Sequence, residues 1–295
     1  MAAQLLSTNN EPPTKIQATE EPLEKPTRPP PPSPVKNDYK LVWADEFDYE
    51  GLPHPKRWGY QVEANNWVHD RNHNEQQWYM ASRRENSYVS GGTLKIIARR
   101  EDWIGKPYTS ARIRTRGKGD WVYGKLLVRA KLPAGKPGIW PAIWMMPTHS
   151  PYGGWAAGGE IDIVESRGNK VHETLGALHF GGKWPDNVHL DHTYRFPGKN
   201  AAEDFHVYAV EWSADEISWF VDGRKWKTRR KSEWWSASAR KNPSAPYDQP
   251  FHLILNVAVD GRFFEKEDQK ADRIPASQFP QVMQVDYVRV YQRNK

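Results

Sequence analysis

The segment Glu160-Ile161-Asp162-Ile163-Val164-Glu165 holds three carboxylates in six residues and fills the gaps with β-branched apolar side chains. That composition favours a strand. Strand side chains alternate faces, so Glu160 and Asp162 share one face and Glu165 falls on the other. A β-bulge near Ile163-Val164 shifts the parity by one and brings all three acids to one face. The alternative is that Glu165 ends the strand and faces solvent. Acids gathered on one face raise one another's pKa. One carboxylate held protonated beside another left ionised is the equipment of a retaining glycosidase. Taken alone the pattern is weak evidence, because acids on a strand are usually solvated and clustered carboxylates also bind Ca²⁺.

The surroundings favour the sugar chemistry. Trp140 and Trp144 precede the acids in "GKPGIWPAIWMMP", and Trp155 stands in "GGWAAGGEIDIVE". Gly158-Gly159 permits a close approach of backbone or ligand. The chain has 15 Trp and 13 Tyr in 295 residues, more than one core readily absorbs. Several are expected to line a cleft, where flat indole faces stack on sugar rings.

Composition excludes other classes. With no Cys there is no disulfide, thiolate metal site or Cys nucleophile. The net charge of +6 is compatible with a polyanionic partner. The one dense basic run, "RKWKTRR" at 224–230, reads as a solvated surface segment, and no nucleic-acid partner is expected. No run of 18 apolar residues is present, so no membrane span is expected. The opening "MAAQLLSTNNEPPTK" has neither a basic n-region nor a long apolar h-region.

Residues 1–37, rich in Pro and charge, bury too little apolar surface to offset their ordering entropy and read as a disordered or extended linker. Residues 38–295 form the expected folded domain. About eleven short strand-like runs punctuated by Gly, Pro and Asn follow one another, with no convincing helical period. "EISWFVDGRKW" reads as two strands joined at Asp222-Gly223. The expected class is all-β, an antiparallel sandwich or barrel.

From Tyr39 onward the sequence resembles glycoside hydrolase family 16. "GIWPAIWMMP" and "GEIDIVE" carry the resemblance, with "LVWADEFD", "NHNEQQWYM", "SGGTLKIIA", "YTSARIRTRGKGDWVYGKLLVRAKLPAG" and "VDYVRVYQ" in matching order and spacing. It implies a β-jelly-roll sandwich of two curved antiparallel sheets with a concave substrate cleft, and a retaining mechanism. "TSARIRT" and "NEQQWY" are most similar to the laminarinase branch, endo-acting on β-1,3-glucans, and the spacing of "EIDIVE" is similar to the bulged forms, the laminarinases, agarases and carrageenases. The loop "LNVAVDGRFFEKED" departs from that branch, where the reading is closer to "NLAVGGNWPG", and is expected to border the cleft.

Carried over by position, Glu160 resembles the nucleophile, Asp162 the assisting acid and Glu165 the general acid/base. Trp140, Trp144 and Trp155 resemble cleft-lining positions. Asn74, Glu75, Arg112 and His179 are implied sugar contacts, although each could equally serve loop or sheet hydrogen bonding. A structural Ca²⁺ is implied at Glu46, the backbone of Gly92, and Asp286. No cofactor is implied for catalysis. The resemblance further implies a secreted, periplasmic or cell-surface monomer acting on a β-glucan. Rival readings are an endo-hydrolase of a marine galactan, of the agarase, porphyranase or carrageenase kind, a transglycosylase, and a non-catalytic β-glucan-binding module.

Overall fold

The computed structural model describes residues 38–133, 137–198, 200–264 and 275–294. The expected linker at 1–37 lies outside the described residues. Strands run in the order β1 (Tyr39–Asp45), β2 (Gly59–Tyr60), β3 (Gln77–Tyr79), β4 (Ser87–Ser90), β5 (Thr93–Trp103) and β6 (Lys106–Ser110). There follow β7 (Arg112–Arg114), β8 (Asp120–Trp121), β9 (Gly124–Lys131), β10 (Ile139–Pro147), β11 (Glu160–Glu165) and β12 (Glu173–Gly181). The last six are β13 (Asn187–Arg195), β14 (His206–Trp212), β15 (Glu216–Val221), β16 (Arg224–Arg230), β17 (Phe251–Val259) and β18 (Gln281–Arg293). Among the described residues, helical structure is confined to short 3₁₀ turns, and no helix is long and apolar enough to cross a membrane.

The strands form a β-jelly-roll sandwich. One sheet runs β16-β15-β14-β9-β18-β5-β6-β3, with β1 added on β18 and β4 on β5. The other runs β13-β12-β11-β10-β17-β7-β2, with β8 added on β17. Pairing is antiparallel except between β3 and β6. Side chains alternate between the two faces along the strands. Leu94, Ile96 and Ala98 of β5 enter the core, as do Val288 and Val290 of β18, while Arg289 turns outward to Glu46. Every residue of β17 is buried, as befits the near-continuous apolar run of a strand covered on both faces. The basic run at 224–230 is β16, an edge strand, where positive charge discourages pairing with another chain.

The second sheet carries two kinds of side chain by strict alternation. Ile139, Ile143 and Met145 of β10 and Leu253, Leu255 and Val257 of β17 face the core. Trp140, Trp144 and Asn256, between them in sequence, face the concave side. Trp140, Trp144 and Asn256 therefore sit on the centre of a sheet rather than on loops.

Two tight hairpins show what the backbone demands. Asp222-Gly223 joins β15 to β16 with both φ angles positive (50° and 77°), as the sequence led us to expect. Ile104-Gly105 joins β5 to β6 in the same conformation (47° and 74°). A β-branched residue is poorly suited to that region, and Ile104 is 68% exposed with little packing in return. Ile104→Asn is therefore expected to stabilise the protein by about 1 kcal/mol, read as a higher denaturant midpoint with an unchanged slope.

Candidate active site

The parity of "EIDIVE" is resolved by a bulge. On the β10 side Val164 lies opposite Ile143 and Asp162 opposite Trp144, so Ile163 is the additional residue. On the β12 side the register slips in the same place, between Asp162–Ala177 and Glu165–Leu175. Ile163 and Val164 are consecutive yet both buried in the core. Glu160, Asp162 and Glu165 consequently share the concave face. The residue before the strand, Gly159, has φ +87°, and a Cβ there would lie 2.9 Å from the Pro246 ring. The close approach that Gly158-Gly159 permits is thus made here by the chain itself.

The cleft indoles hold the acids. Trp155 Nε1 donates to Glu160 Oε2 at 2.7 Å, and Trp140 Nε1 donates to Glu165 Oε1 at 2.9 Å. His179, which faces Glu160 across the β11–β12 ladder, places Nε2 3.3 Å from Asp162 Oδ2 and 3.7 Å from Glu160 Oε1. Beneath them Tyr247 Oη lies 3.3 Å from the Glu160 carbonyl and 3.0 Å from that of His179, tying the two strands together. Of the four implied sugar contacts, His179 alone joins the acids directly.

Electrostatics separates the three carboxyls. Burial, then the charges of Glu160 and Glu165, pushes the Asp162 carboxyl far above the usual range against the pull of His179. Burial pushes Glu165 up and Glu160 adds to it, while His179 and the Trp140 indole pull back, leaving it at about 7. Burial opposes the charge on His179, but Glu160 and Asp162 outweigh it and raise the imidazole to about 10. Burial and the neighbouring acids thus favour the protonated form of Asp162, the acids favour an imidazolium at His179, and Glu165 is poised between its two forms near neutral pH.

The remaining expected residues fall into two groups. Arg112 lies on the floor, its guanidinium 4.6 Å from the Trp144 ring and its Nε donating to Gln61 Oε1 at 2.8 Å. Asn74 is an exposed turn residue with φ +54°, its Oδ1 accepting from Gln76. Glu75 is 4% exposed and buried beneath the floor. Gln77 Nε2 and Tyr79 Oη donate to its carboxylate at 2.5 and 3.2 Å. From there the hydrogen bonds climb from Tyr79 through Asn256 to the Trp144 indole. Glu75 supports the floor from below.

The implied calcium site needs correction. Register gathers Glu46, Gly92 and Asp286 around one stretch of β18, since Asp45 lies opposite Val288 and Leu94 opposite Val285. Both carboxylates, however, already serve arginines. Glu46 is bidentate with Arg289 at 2.7 and 2.9 Å, and the fully buried Asp286 accepts from Arg129 at 2.7 Å. A hard cation needs oxygens free to turn toward it. This arrangement does not fit the ion.

Residues that sequence reasoning missed complete the cleft. Asn256 carried no local signal beyond being polar in an apolar run, and Tyr247, in the Pro-rich stretch "SAPYDQP", carried none. Phe263, in the departing loop, stacks on Trp140 at 4.3 Å and 13°, and the Arg167 guanidinium lies 4.2 Å from the centre of its ring. That loop does border the site, as expected. Near Trp155 an open pocket of roughly 500 Å³ is lined by Trp184, Trp235, Lys183 and Arg240 among others. Its signal was the pair of Trp-rich stretches "GKWPD" and "SEWWS".

The chain matches known proteins along most of its length. The model of Glycosyl hydrolases family 16 matches residues 72–274. A beta-glucanase of Rhodothermus marinus is 42% identical over 267 residues, covering 86% of this chain and 85% of that protein. The glucan endo-1,3-beta-glucosidase A1 of Niallia circulans is 41% identical over 88% of this chain, which spans only 39% of that longer protein. The structure of the laminarinase from Rhodothermus marinus superposes with a TM-score of 0.73 at 40% identity, covering 87% of this chain and 98% of that one.

The Glu165 shift makes a stability prediction. Its carboxyl titrates at about 7 in the fold against an ordinary 4.5. The folded state therefore binds the proton more tightly, and stability falls as pH rises from about 4.5 to about 7, then levels off. Glu165→Gln, which keeps an acceptor for Trp140, is expected to raise the melting temperature by several degrees at pH 8 and by much less at pH 5. Thermal unfolding of both proteins at the two pH values checks this.

Proposed function

The chain belongs to glycoside hydrolase family 16, and on that premise we propose that it is a retaining endo-hydrolase of laminarin-type β-1,3-glucans that also accepts mixed β-1,3/1,4-glucan. The observation that carries the reading is the bulged β11, which sets three acids on one face between indoles. The similarity to a laminarinase and to an endo-1,3-beta-glucosidase supports the choice of glucan.

Each side chain has a part in a double displacement. The Glu160 carboxylate attacks the anomeric carbon, and the bond from that carbon to the bridging oxygen breaks. The Glu165 carboxyl gives its proton to the departing oxygen, which leaves as a hydroxyl. The sugar is now an ester on Glu160 and Glu165 is a carboxylate. Glu165 next takes a proton from water, whose oxygen attacks the same carbon and frees Glu160. Two inversions give net retention. A pKa of about 7 suits a group that must be an acid in one half and a base in the other. The Trp155 N–H and the imidazolium of His179 hold Glu160 in its attacking orientation. Asp162, whose carboxyl is pushed toward the protonated form by burial and then by Glu160, lies on the same face beside it.

Trp140, Trp144 and Trp155 offer apolar faces along the cleft, with Arg112 supplying donors between them. The substrate is a polymer too large to cross a membrane, so the enzyme acts on glucan outside the cell or at its surface. No cofactor takes part. The presence of all three acids separates this chain from a module that only binds.

Glu160→Ser is expected to abolish hydrolysis while leaving binding of laminari-oligosaccharides within about tenfold of the wild type. The wild type, offered laminarin, lichenan, agarose and carrageenan, is expected to shorten the first most rapidly, the second more slowly, and the two galactans not at all. Product sizing reads both outcomes, and wild-type turnover by the serine variant would end the assignment.

A further inference from the structure

The bulge in β11 is clasped from the opposite sheet. Trp219 of β15 is wholly buried, and its indole crosses the core so that Nε1 donates to the carbonyl oxygen of Asp162 at 2.8 Å. Asp162 is the last residue before the register slips on both sides of β11. A bulge interrupts the ladder that would otherwise hold the strand's peptide groups, so a donor brought from outside the sheet can fix the carbonyl where the ladder does not.

The neighbouring strand is shaped for this contact. A Cβ on Gly176 of β12 would lie 2.8 Å from Cδ1 and from Nε1 of Trp219, and 3.2 Å from His192 Nε2. Any side chain there would push the indole off the carbonyl. His192 of β13 closes the other side, its ring 4.5 Å from Trp219 in an edge-to-face contact. Within the described residues, the second sheet leaves this opening directly behind the extra residue.

We propose that Trp219, in the space left by Gly176, is a positioning residue for the reaction: its indole N–H fixes the bulged peptide of β11 and so sets Glu165 relative to Glu160 and Asp162. The inference rests on the roles assigned to those three acids. Trp219 touches no substrate and acts through the backbone. Losing its N–H lets the bulge migrate or relax, which displaces Glu165 from its buried place and from His179, Glu160, Trp140 and Arg167, which together set its protonation.

Trp219 is replaced by Phe, and separately by the isosteric β-(3-benzothienyl)alanine, which keeps the shape and lacks the N–H. Each variant is compared with Trp58→Phe, which removes another buried indole whose N–H serves Asp45. For both Trp219 variants kcat is expected to fall by roughly 10- to 100-fold, the cost of a misplacement of about 1 Å. KM should stay within about a factor of two, and the alkaline limb of kcat near pH 7 should move by about half a unit or more. Trp58→Phe is expected to lower the melting temperature and leave both readouts alone. Gly176→Ala is expected to reproduce the kcat loss, and combining it with Trp219→Phe to cost less than the product of the two. Wild-type kcat and limb in the benzothienyl variant would overturn the clasp, as would a loss of kcat with an unmoved limb. Hydrolysis by Glu160→Ser would instead overturn the assignment beneath it.

Discussion

One additional residue in β11 is the constraint on which the site depends. A strand of strict alternation would send Glu165 into the core, where an ionisable side chain is costly, and would turn an apolar residue to the cleft. Inserting Ile163 corrects the parity at one point and leaves both flanking ladders in register. Its cost is a disturbed stretch of backbone in the middle of a sheet. The structure answers with bonds from several directions: Trp219 on the Asp162 carbonyl, Thr174 Oγ1 on that of Glu165, and Tyr247 near that of Glu160. The site is precise because the irregular segment is held more firmly than a regular one would need to be.

The second consequence is electrical. Three carboxyls brought to one buried face cannot all ionise. Burial raises Glu165 and Asp162, and the surviving negative charge is met by His179, whose imidazole is held protonated by the acids it faces. The indoles contribute N–H donors without adding charge, which is why Trp rather than Lys or Arg lies against Glu160 and Glu165. His179 and Arg167 already pull Glu165 down against burial and the charge of Glu160, and a further cation in place of the Trp140 indole would lower it toward its ordinary range.

Much of this was legible in the sequence, and what was not has a physical reason. The runs with β-branched alternation became strands, the Asp-Gly pair became a turn, and the parity of "EIDIVE" pointed to the bulge. These are local signals. β13, "NVHLDHTYR", is an edge strand whose polar composition masks its alternation, and β2, β3 and β8 are two or three residues long and owe their conformation to partners. What the sequence did not show is which partners each polar side chain meets, near or far along the chain. Glu75 is buried because Gln77, Tyr79 and Arg112 accept it beneath the floor. Glu46 and Asp286 look like oxygen ligands until Arg289, 243 residues on, and Arg129, 157 residues back, take them. Trp219 was legible only as one core Trp among many, since nothing in "EISWFVDG" says which carbonyl its indole will meet.

The central claim is that the bulge divides labour between two carboxylates on one face, with Glu160 as nucleophile and Glu165 as proton donor. The most direct test is mass spectrometry of the wild-type enzyme after reaction with a 2-deoxy-2-fluoro laminari-oligosaccharide carrying an activated leaving group. Its fluorine slows release of the glycosyl-enzyme relative to its formation. The account predicts one glycosyl adduct, located by peptide fragmentation on Glu160. An adduct on Glu165, or turnover of the reagent with no adduct on either acid, would contradict it.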